Sequence, residues 1–186
     1  MSLLVTVVST ANRKRSYRPT EIRPEYGILG SLSHAAQIFS KPTLVIVGAD
    51  STIIYNPATI TRIEFETNID LHACVPAKWL EPPSLFALPA NEAEANAMVE
   101  EQRLKRFDFY FVGGDKLSTW LDTSEAGNGI SGGGRIASIF EQPVIPYRLP
   151  QGGIGIINPS NLTRTRANAP LHNPPVGAWH ASEEDD

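Results

Sequence analysis

The stretch that decides the fold class is Phe-Asp-Phe-Tyr-Phe-Val-Gly-Gly-Asp-Lys-Leu-Ser-Thr-Trp-Leu, residues 107–121. Phe107, Phe109 and Phe111 alternate with other residues, so in an extended chain they share one face. Gly113-Gly114 supplies a turn, and residues 116–121 return along the first strand. The stretch therefore predicts a β-hairpin with one apolar face, which a second layer must cover.

Similar short stretches recur on both sides of this hairpin. Strands are predicted at residues 3–9, 43–47, 52–55, 61–66, 135–140, 144–149, 154–157 and 162–165. In the strand 61–66, Thr61, Ile63 and Phe65 form one face, and the charged residues between them predict a solvated opposite face. About ten antiparallel strands at this spacing favour a mainly β fold, either a sandwich or a barrel.

One or two helices are expected at the periphery. The first covers Gly30–Ser40, before Pro42, with an inner face of Leu32, Ala35, Ala36 and Phe39. The second covers Asn91–Arg106, with an asparagine N-cap, acidic residues in its first turn and basic residues in its last. Its predicted inner face is Ala93, Ala97 and Leu104, with Met98 alongside.

The organisation predicted from the sequence is a single β-rich domain, residues 1–166, followed by an arm. Within the domain, residues 76–106 are a proline-rich excursion followed by the second helix, and the prolines of 76–89 argue against regular structure there. Residues 167–186 are predicted to form an extended C-terminal arm with an acidic tail. Trp179 is the apolar residue by which this arm would anchor to a partner.

Charge is unevenly distributed along the 186 residues, although the net charge is only -4. Residues 1–50 carry six basic and three acidic groups, residues 51–141 carry seven and thirteen, and residues 142–182 carry three basic groups and no acid. Basic segments thus flank an acidic middle, a pattern suited to end segments that contact the middle of the same or a neighbouring chain. A polyphosphate-binding protein normally has a net basic excess.

The single cysteine, Cys74, excludes an intramolecular disulfide framework and a multi-cysteine zinc site. Apolar runs are too short to span a bilayer, so no membrane partner is expected. The opening residues lack the preceding basic residue and cleavage site of a signal peptide, which favours a cytoplasmic protein or a particle made in the cytoplasm.

A short similarity relates Asn56-Pro57-Ala58-Thr59-Ile60-Thr61-Arg62 to Asn158-Pro159-Ser160-Asn161-Leu162-Thr163-Arg164, 102 positions later. One interpretation is a duplicated strand-turn-strand unit with pseudo-symmetry. The other is local chemistry, because Asn-Pro often begins turns. The sequence by itself favours the local explanation.

The glycine-rich segment Gly127-Asn128-Gly129-Ile130-Ser131-Gly132 formally matches a dinucleotide-binding fingerprint and overlaps a nucleophile-elbow pattern. Both motifs require a helix directly after them, which Gly132-Gly133-Gly134 opposes. We interpret the segment as a hairpin loop. No catalytic residue and no cofactor are therefore assigned from it.

Asp70, His72 and Cys74 alternate, so an extended segment would present all three on one face. That spacing permits two metal ligands, or a thiol near an imidazole. A half-buried strand with no metal is the favoured interpretation, and the three residues are only weak candidates for the site of a metal-dependent enzyme.

The basic cluster of Arg13, Lys14, Arg15 and Arg18 contains one aromatic residue, Tyr17. It could contact phosphate and stack on a base, or it could contact an acidic surface of a neighbouring subunit.

The favoured function is a non-enzymatic assembly protein, such as a virus or phage particle component or another homomeric shell, whose terminal arms bind neighbouring subunits. A nucleic-acid-binding β-barrel is the alternative, and a metal-dependent enzyme is the third hypothesis.

Overall fold

The structure is a computed structural model that describes residues 2–20, 22, 30–48, 50–80, 84–122 and 142–168. The strands are β1 Leu3–Ser9, β2 Lys14–Tyr17, β3 Leu44–Val47, β4 Thr52–Tyr55, β5 Ile60–Thr67, β6 Ser84–Ala87, β7 Lys105–Phe111, β8 Lys116–Asp122, β9 Ile145–Arg148, β10 Gly153–Ile157 and β11 Leu162–Ala167. Helix α1 is Glu92–Gln102. Short 3-10 helices occur at Ser31–Gln37, Pro57–Thr59, Leu71–Ala73, Ala77–Trp79 and Pro159–Asn161.

Nine strands form one sheet in the order β11-β7-β8-β6-β9-β10-β5-β1-β2, and β3 pairs with β4 alone. Strand pairs are antiparallel except β6 and β9, which meet in parallel at Phe86 and Arg148. The mainly β prediction is confirmed. Over the part of the chain that the structure describes, β2 and β11 do not pair, so the sheet is not a closed barrel.

The nine-stranded sheet has an apolar cluster at each end. The first core contains the buried residues of β1, β5 and β10, the 3-10 helix after Gly30, and the segment Leu71–Trp79. The second core contains Phe107, Phe109, Phe111 and Leu117, which pack against Ile145, Tyr147 and Ile157. The apolar face predicted for the hairpin at 107–121 is therefore covered by β9 and β10. Sheet residues thus pack in two layers, as in a sandwich.

Apart from β6, the described strands form two structural repeats, which lie within residues 3–67 and 105–167. Strands β5-β1-β2 of repeat 1 have the same order and direction as β11-β7-β8 of repeat 2. Their registers agree at a constant offset of 102 positions: Val5 faces Phe65 in repeat 1, and Phe107 faces Ala167 in repeat 2. The hairpin β3–β4 corresponds to β9–β10 with a shift of one residue in the first strand: β4 and β10 are 102 positions apart, and β3 and β9 are 101 positions apart.

Backbone hydrogen bonds repeat at the same offset. The turn bonds Ser9 N–Arg13 O and Phe111 N–Asp115 O are both 3.0 Å long. The bonds from Thr10 N to Thr59 O and from Val112 N to Asn161 O are both 2.9 Å long. These matched bonds extend the similarity far beyond the Asn-Pro segments. A structural repeat therefore replaces the local explanation that the sequence favoured.

The predicted first helix is a 3-10 helix, Ser31–Gln37, with a break in helical geometry at His34. Its buried residues are Leu32, Ala35 and Ile38, whose spacing of three is that of a 3-10 helix. Ala36, predicted on the inner face, is exposed. The Ser33 hydroxyl donates to the Gly30 carbonyl at 2.7 Å, which competes with regular helix hydrogen bonding.

The second helix is shorter than predicted and buries another face. Asn91 caps α1 as expected, accepting from the amides of Ala93 and Glu94, but the helix ends where Arg103 takes a left-handed conformation. Its buried residue is Ala95, and Ala93 and Ala97 are exposed. The error arose because two of the three basic residues attributed to the last helical turn, Lys105 and Arg106, belong to β7, which pairs with β8.

Two further expectations are corrected. The second face of β5 is solvated only at Glu66, because Arg62 is buried and Glu64 is half-buried there. The proline-rich segment is not irregular throughout, since it contains the 3-10 helix Ala77–Trp79 and strand β6. The prolines flank these elements, which lets residues 84–87 pair with β8. The predicted strand at residues 135–140 lies outside the described residues.

Candidate functional site

The hairpin β3–β4 is the largest exposed apolar feature of the described residues. One of its faces, Leu44, Ile46 and Tyr55, packs on the first core. The opposite face carries Val45, Val47 and Ile54, whose exposed fractions are 50%, 76% and 66%. Val45 lies opposite Ile54 across the hairpin. Three adjacent apolar side chains on one strand pair, outside the main sheet, make a candidate contact surface.

Two strand edges lie at the ends of the nine-stranded sheet, on β2 and β11. An outer strand presents backbone amides and carbonyls that can pair with another strand. β2 carries exposed basic side chains, whereas β11 alternates half-buried and exposed residues, including Arg164 and Arg166. Val112, just after β7, is the fourth large apolar residue that is exposed among the described residues, at 46%.

The predicted basic cluster is held together by the hairpin β1–β2. Arg13, Lys14, Arg15 and Arg18 are all exposed around this sheet edge. Tyr17, however, does not project freely, because its hydroxyl is hydrogen-bonded to that of Tyr55 and the two rings meet edge to face at 6.4 Å. The arrangement leaves four cations accessible to an anionic partner and ties up the aromatic ring that base stacking requires.

The Tyr17–Tyr55 contact also changes the acidity of Tyr55. Burial, and then the hydrogen bond and charge of Tyr17, raise the pKa of Tyr55 from 10.0 to about 12, against a smaller lowering by Arg15. Tyr55 therefore stays neutral at physiological pH. The contact fixes the hairpin β3–β4 to the end of β2.

A buried ionic cluster lies between the two repeats. The guanidinium of Arg62 contacts Asp115 and donates to Glu64 at 3.0 Å, and the Tyr147 hydroxyl donates to Glu64 at 2.8 Å. Burial alone would lower the pKa of Arg62, but Tyr147, Glu64 and Asp115 raise it. Burial raises the pKa of Tyr147 well above its usual value. Because each group is paired within the cluster, its polar atoms hold the two repeats together.

A second polar cluster joins α1 to repeat 2, beside an open cavity of about 450 Å³. Arg106 donates to Asp108, Asn96, Glu92 and Ser118 over distances between 2.6 and 3.0 Å. Hydrogen bonds from Arg106 and Lys116 lower the pKa of Glu92. The donors of Arg106 are thus used to hold the helix against the sheet. Sequence reasoning missed this role because it placed Arg106 in the helix.

The predicted triplet Asp70, His72 and Cys74 does not share a face. Asp70 caps the 3-10 helix Leu71–Ala73, accepting from the backbone amide and ring Nδ1 of His72 at 3.0 Å and 2.6 Å. His72 is exposed, whereas Cys74 is buried in the first core. The helical turn directs the imidazole to solvent and the thiol into the core, so the shared face on which the metal-site hypothesis depended is not formed. No cluster of three or more metal-ligating side chains occurs among the residues described.

Other predicted features lie outside the described residues, namely the glycine-rich motif at 127–132 and the anchoring residue Trp179. Within the described ranges, none of the helices has the length and apolar character needed to cross a membrane. Comparison of the sequence and structure with protein families, curated proteins and solved structures gave no match.

Proposed function

We propose that this protein is a non-enzymatic structural subunit that assembles with copies of itself. The observation that carries the proposal is the exposed apolar face of Val45, Val47 and Ile54 on the hairpin β3–β4. Burying an aliphatic side chain fully contributes roughly 1.5–3 kcal/mol, so covering these three would supply a substantial part of a subunit contact. A homomeric shell, such as a virus or phage particle, is the type of assembly that such subunits build.

The polar clusters support this proposal because they are used for structure. Arg62 and Arg106 are both buried and both paired, one between the repeats and one under α1. A catalytic centre needs groups held ready for a substrate, whereas these groups already bind each other. Surfaces for protein contact are therefore the better-supported function.

Sedimentation velocity of the purified chain over a hundredfold concentration range tests the proposal. We expect homomers, and we expect Val47→Asp to weaken association on the order of tenfold or more because it places a charge on the apolar face. Ala97→Asp, which adds the same charge at an exposed position of α1, is the matched control. A wild-type chain that stays monomeric at the highest concentration would overturn the proposal.

Nucleic-acid binding is the second candidate, because Arg13, Lys14, Arg15 and Arg18 are exposed together. The engagement of Tyr17 by Tyr55 favours phosphate contact without base stacking. Fluorescence titration with a single-stranded oligonucleotide at 50 and 200 mM salt tests it. Four phosphate contacts predict roughly a fiftyfold loss of affinity between the two salts, and absence of binding at 50 mM rejects this candidate.

A further inference from the structure

The correspondence between the two repeats continues beyond their last strands. Asn68 is the first residue after β5, and Asn168 is the first residue after β11. The side-chain oxygen of Asn68 accepts from the amide of Ser2 at 3.1 Å, and that of Asn168 accepts from the amide of Arg106 at 3.0 Å. In both repeats the donor directly precedes the residue that pairs with the last residue of the strand. The two asparagines are therefore equivalent, although they are 100 and not 102 positions apart, because β11 ends two residues earlier in its repeat than β5 does.

The sequence carries this correspondence past the described residues. At the offset of 100, Asn-Ile-Asp-Leu-His at 68–72 corresponds to Asn-Ala-Pro-Leu-His at 168–172, and Trp79 corresponds to Trp179. The chain has only four histidines and three tryptophans, so agreement at both by chance is rare. His72 is exposed, and packing therefore does not require a histidine at this position. Its recurrence indicates a duplicated segment.

In repeat 1 this segment packs on an apolar surface. The exposed fractions of Leu71, Val75 and Trp79 are 7%, 7% and 9%, and all three belong to the first core. The same core contains Val5 of β1 and Phe65 of β5. The segment after the last strand thus completes the core of its own repeat.

Repeat 2 has an equivalent surface with less cover. The cross-strand pair Val5–Phe65 corresponds to Phe107–Ala167, so each repeat has one large and one small apolar residue at this place. Phe65 is only 2% exposed, whereas Ala167 is half-buried against the second core. Leu162, at the other end of β11, is also half-buried there. The β11 side of the second core can therefore bury further apolar side chains.

We propose that residues 169–179 dock on the second core of their own chain, with Leu171 and Trp179 in the roles that Leu71 and Trp79 have on the first core. Large apolar side chains such as these contribute most of the free energy of such a contact. The proposal does not depend on self-assembly. It gives Trp179 an anchoring surface within the chain, in place of the partner that the sequence predicted.

Chain connectivity supports a contact within the chain. Asn168 is held to β7, because its backbone amide donates to the carbonyl of Arg106 at 3.1 Å and its side chain accepts from the amide of the same residue. Leu171 follows three residues later, so it lies at most roughly 11 Å from Asn168 even in an extended chain. The half-buried Ala167 of the same chain is within that reach.

The correspondence applies to the two anchoring residues and not to the path between them. In repeat 1, Asp70 accepts from the amide of His72 and caps a short 3-10 helix. Pro170 is at the position of Asp70 and has no side-chain acceptor. The capped turn is therefore not repeated, and the proposal requires only that Leu171 and Trp179 reach the surface.

Tryptophan fluorescence tests the docking. The double variant Trp79→Phe/Trp120→Phe has Trp179 as its only tryptophan. We expect acrylamide to quench Trp179 severalfold less in the native chain than in urea, and we expect its emission to move to longer wavelength on unfolding. Equal quenching in the two states would overturn the proposal. If the double variant does not fold, the difference between the wild-type signal and that of Trp179→Phe reports the same tryptophan.

A charge on the docking surface tests its location. Ala167→Asp should raise the quenching of Trp179 severalfold, because a carboxylate opposes the burial of an indole ring. Thr163→Asp, at an exposed position of the same strand, is the matched control and should leave the quenching unchanged. Circular dichroism verifies that both variants fold, and Ala167→Gln is the milder substitution if Ala167→Asp does not. Equal quenching in the surface variant and the control would overturn docking at this place.

Concentration separates docking within a chain from exchange between copies. We expect the quenching of Trp179 in the monomer fraction from size-exclusion chromatography to equal that in any homomers. A monomer in which Trp179 is quenched as in urea would show that the segment binds a neighbour, and would overturn the proposal. Sedimentation tests self-assembly separately: a monomeric chain with a protected Trp179 would remove self-assembly and leave this docking standing.

Discussion

Arg62 of repeat 1 and Asp115 of repeat 2 form a buried ion pair across the junction of the two repeats. Arg62 also lies 5.6 Å from the centre of the Phe111 ring, which belongs to the second core. One side chain thus joins β5 to the turn between β7 and β8 by charge and by packing. The residues at the equivalent positions are Arg164 for Arg62 and Arg13 for Asp115. Both are cationic, so these two positions cannot form the same ion pair with each other.

Removing the carboxylate should strongly destabilise the fold. In Asp115→Ala the guanidinium of Arg62 stays buried with less compensation, and we expect the free energy of unfolding to fall by about 3–5 kcal/mol. Urea denaturation followed by circular dichroism measures it. The double variant Arg62→Met/Asp115→Leu should recover part of the loss, since no buried charge remains. A loss below about 1 kcal/mol in Asp115→Ala would show that the pair is solvated.

The turn at 113–114 provides a matched pair of glycine substitutions. Both residues have positive φ, but a Cβ on Gly113 would overlap the Thr10 carbonyl, whereas one on Gly114 meets nothing within 4 Å. We expect Gly114→Ala to cost about 1 kcal/mol for its backbone conformation alone. Gly113→Ala should cost clearly more, because Thr10 must also move. Thermal unfolding of both variants measures the difference, and equal midpoints would contradict the close contact.

Asn56 and Asn158 occupy equivalent positions in the two repeats, but we expect their substitution to reduce stability by different amounts. Asn56 and Asn158 each accept a hydrogen bond from the amide two residues later. Only Asn158 also donates, at 3.0 Å, to the buried carbonyl of Ile60. Asn56→Ala should cost about 1 kcal/mol as a lost cap, and Asn158→Ala about 2 kcal/mol, because a buried hydrogen bond is lost as well while the Ile60 carbonyl still accepts from Asn161. Chemical denaturation of both variants measures the loss in free energy of unfolding. A larger loss in Asn56→Ala than in Asn158→Ala would contradict the prediction.

Alkaline pH should destabilise the protein through its tyrosines. The pKa of Tyr55 is raised from 10.0 to about 12, and that of Tyr147 is also raised, so the native state keeps protons that the unfolded chain has lost. The free energy of unfolding must then fall as pH rises from about 10 to 12. Urea titrations at several pH values measure the slope. Tyr55→Phe should reduce it, and an unchanged slope would contradict the raised pKa.

Local sequence patterns predicted the strands well because alternation acts over a few residues. The phenylalanines at 107, 109 and 111 define a buried face in any extended chain, and the turn at 113–114 needs only glycine. The same approach failed at Arg106, which resembles a helix-terminal cation and is instead a buried strand residue. A basic residue in the last turn of a helix cannot be distinguished by sequence from a basic residue at the start of the next strand. Here the pairing of β7 with β8 shows that Arg106 is a strand residue.

The candidate contact surface could be predicted only in part. Alternation identified the strands β3 and β4, but their short apolar runs do not reveal which face remains exposed. The triplet of Asp70, His72 and Cys74 failed for a related reason. Asp70 caps its own backbone, so the segment coils where the spacing suggested an extended strand.

By itself, the sequence determined a mainly β chain with short strands, a capped helix and turns at its glycines and Asn-Pro steps. These features depend on contacts between near neighbours, which residue order encodes directly. Tertiary structure decided that residues 3–67 and 105–167 are copies of one unit, and that one of two equivalent hairpins is covered while the other is exposed. Pairing between strands that lie about a hundred residues apart sets this difference, and such pairing leaves little trace in the local pattern.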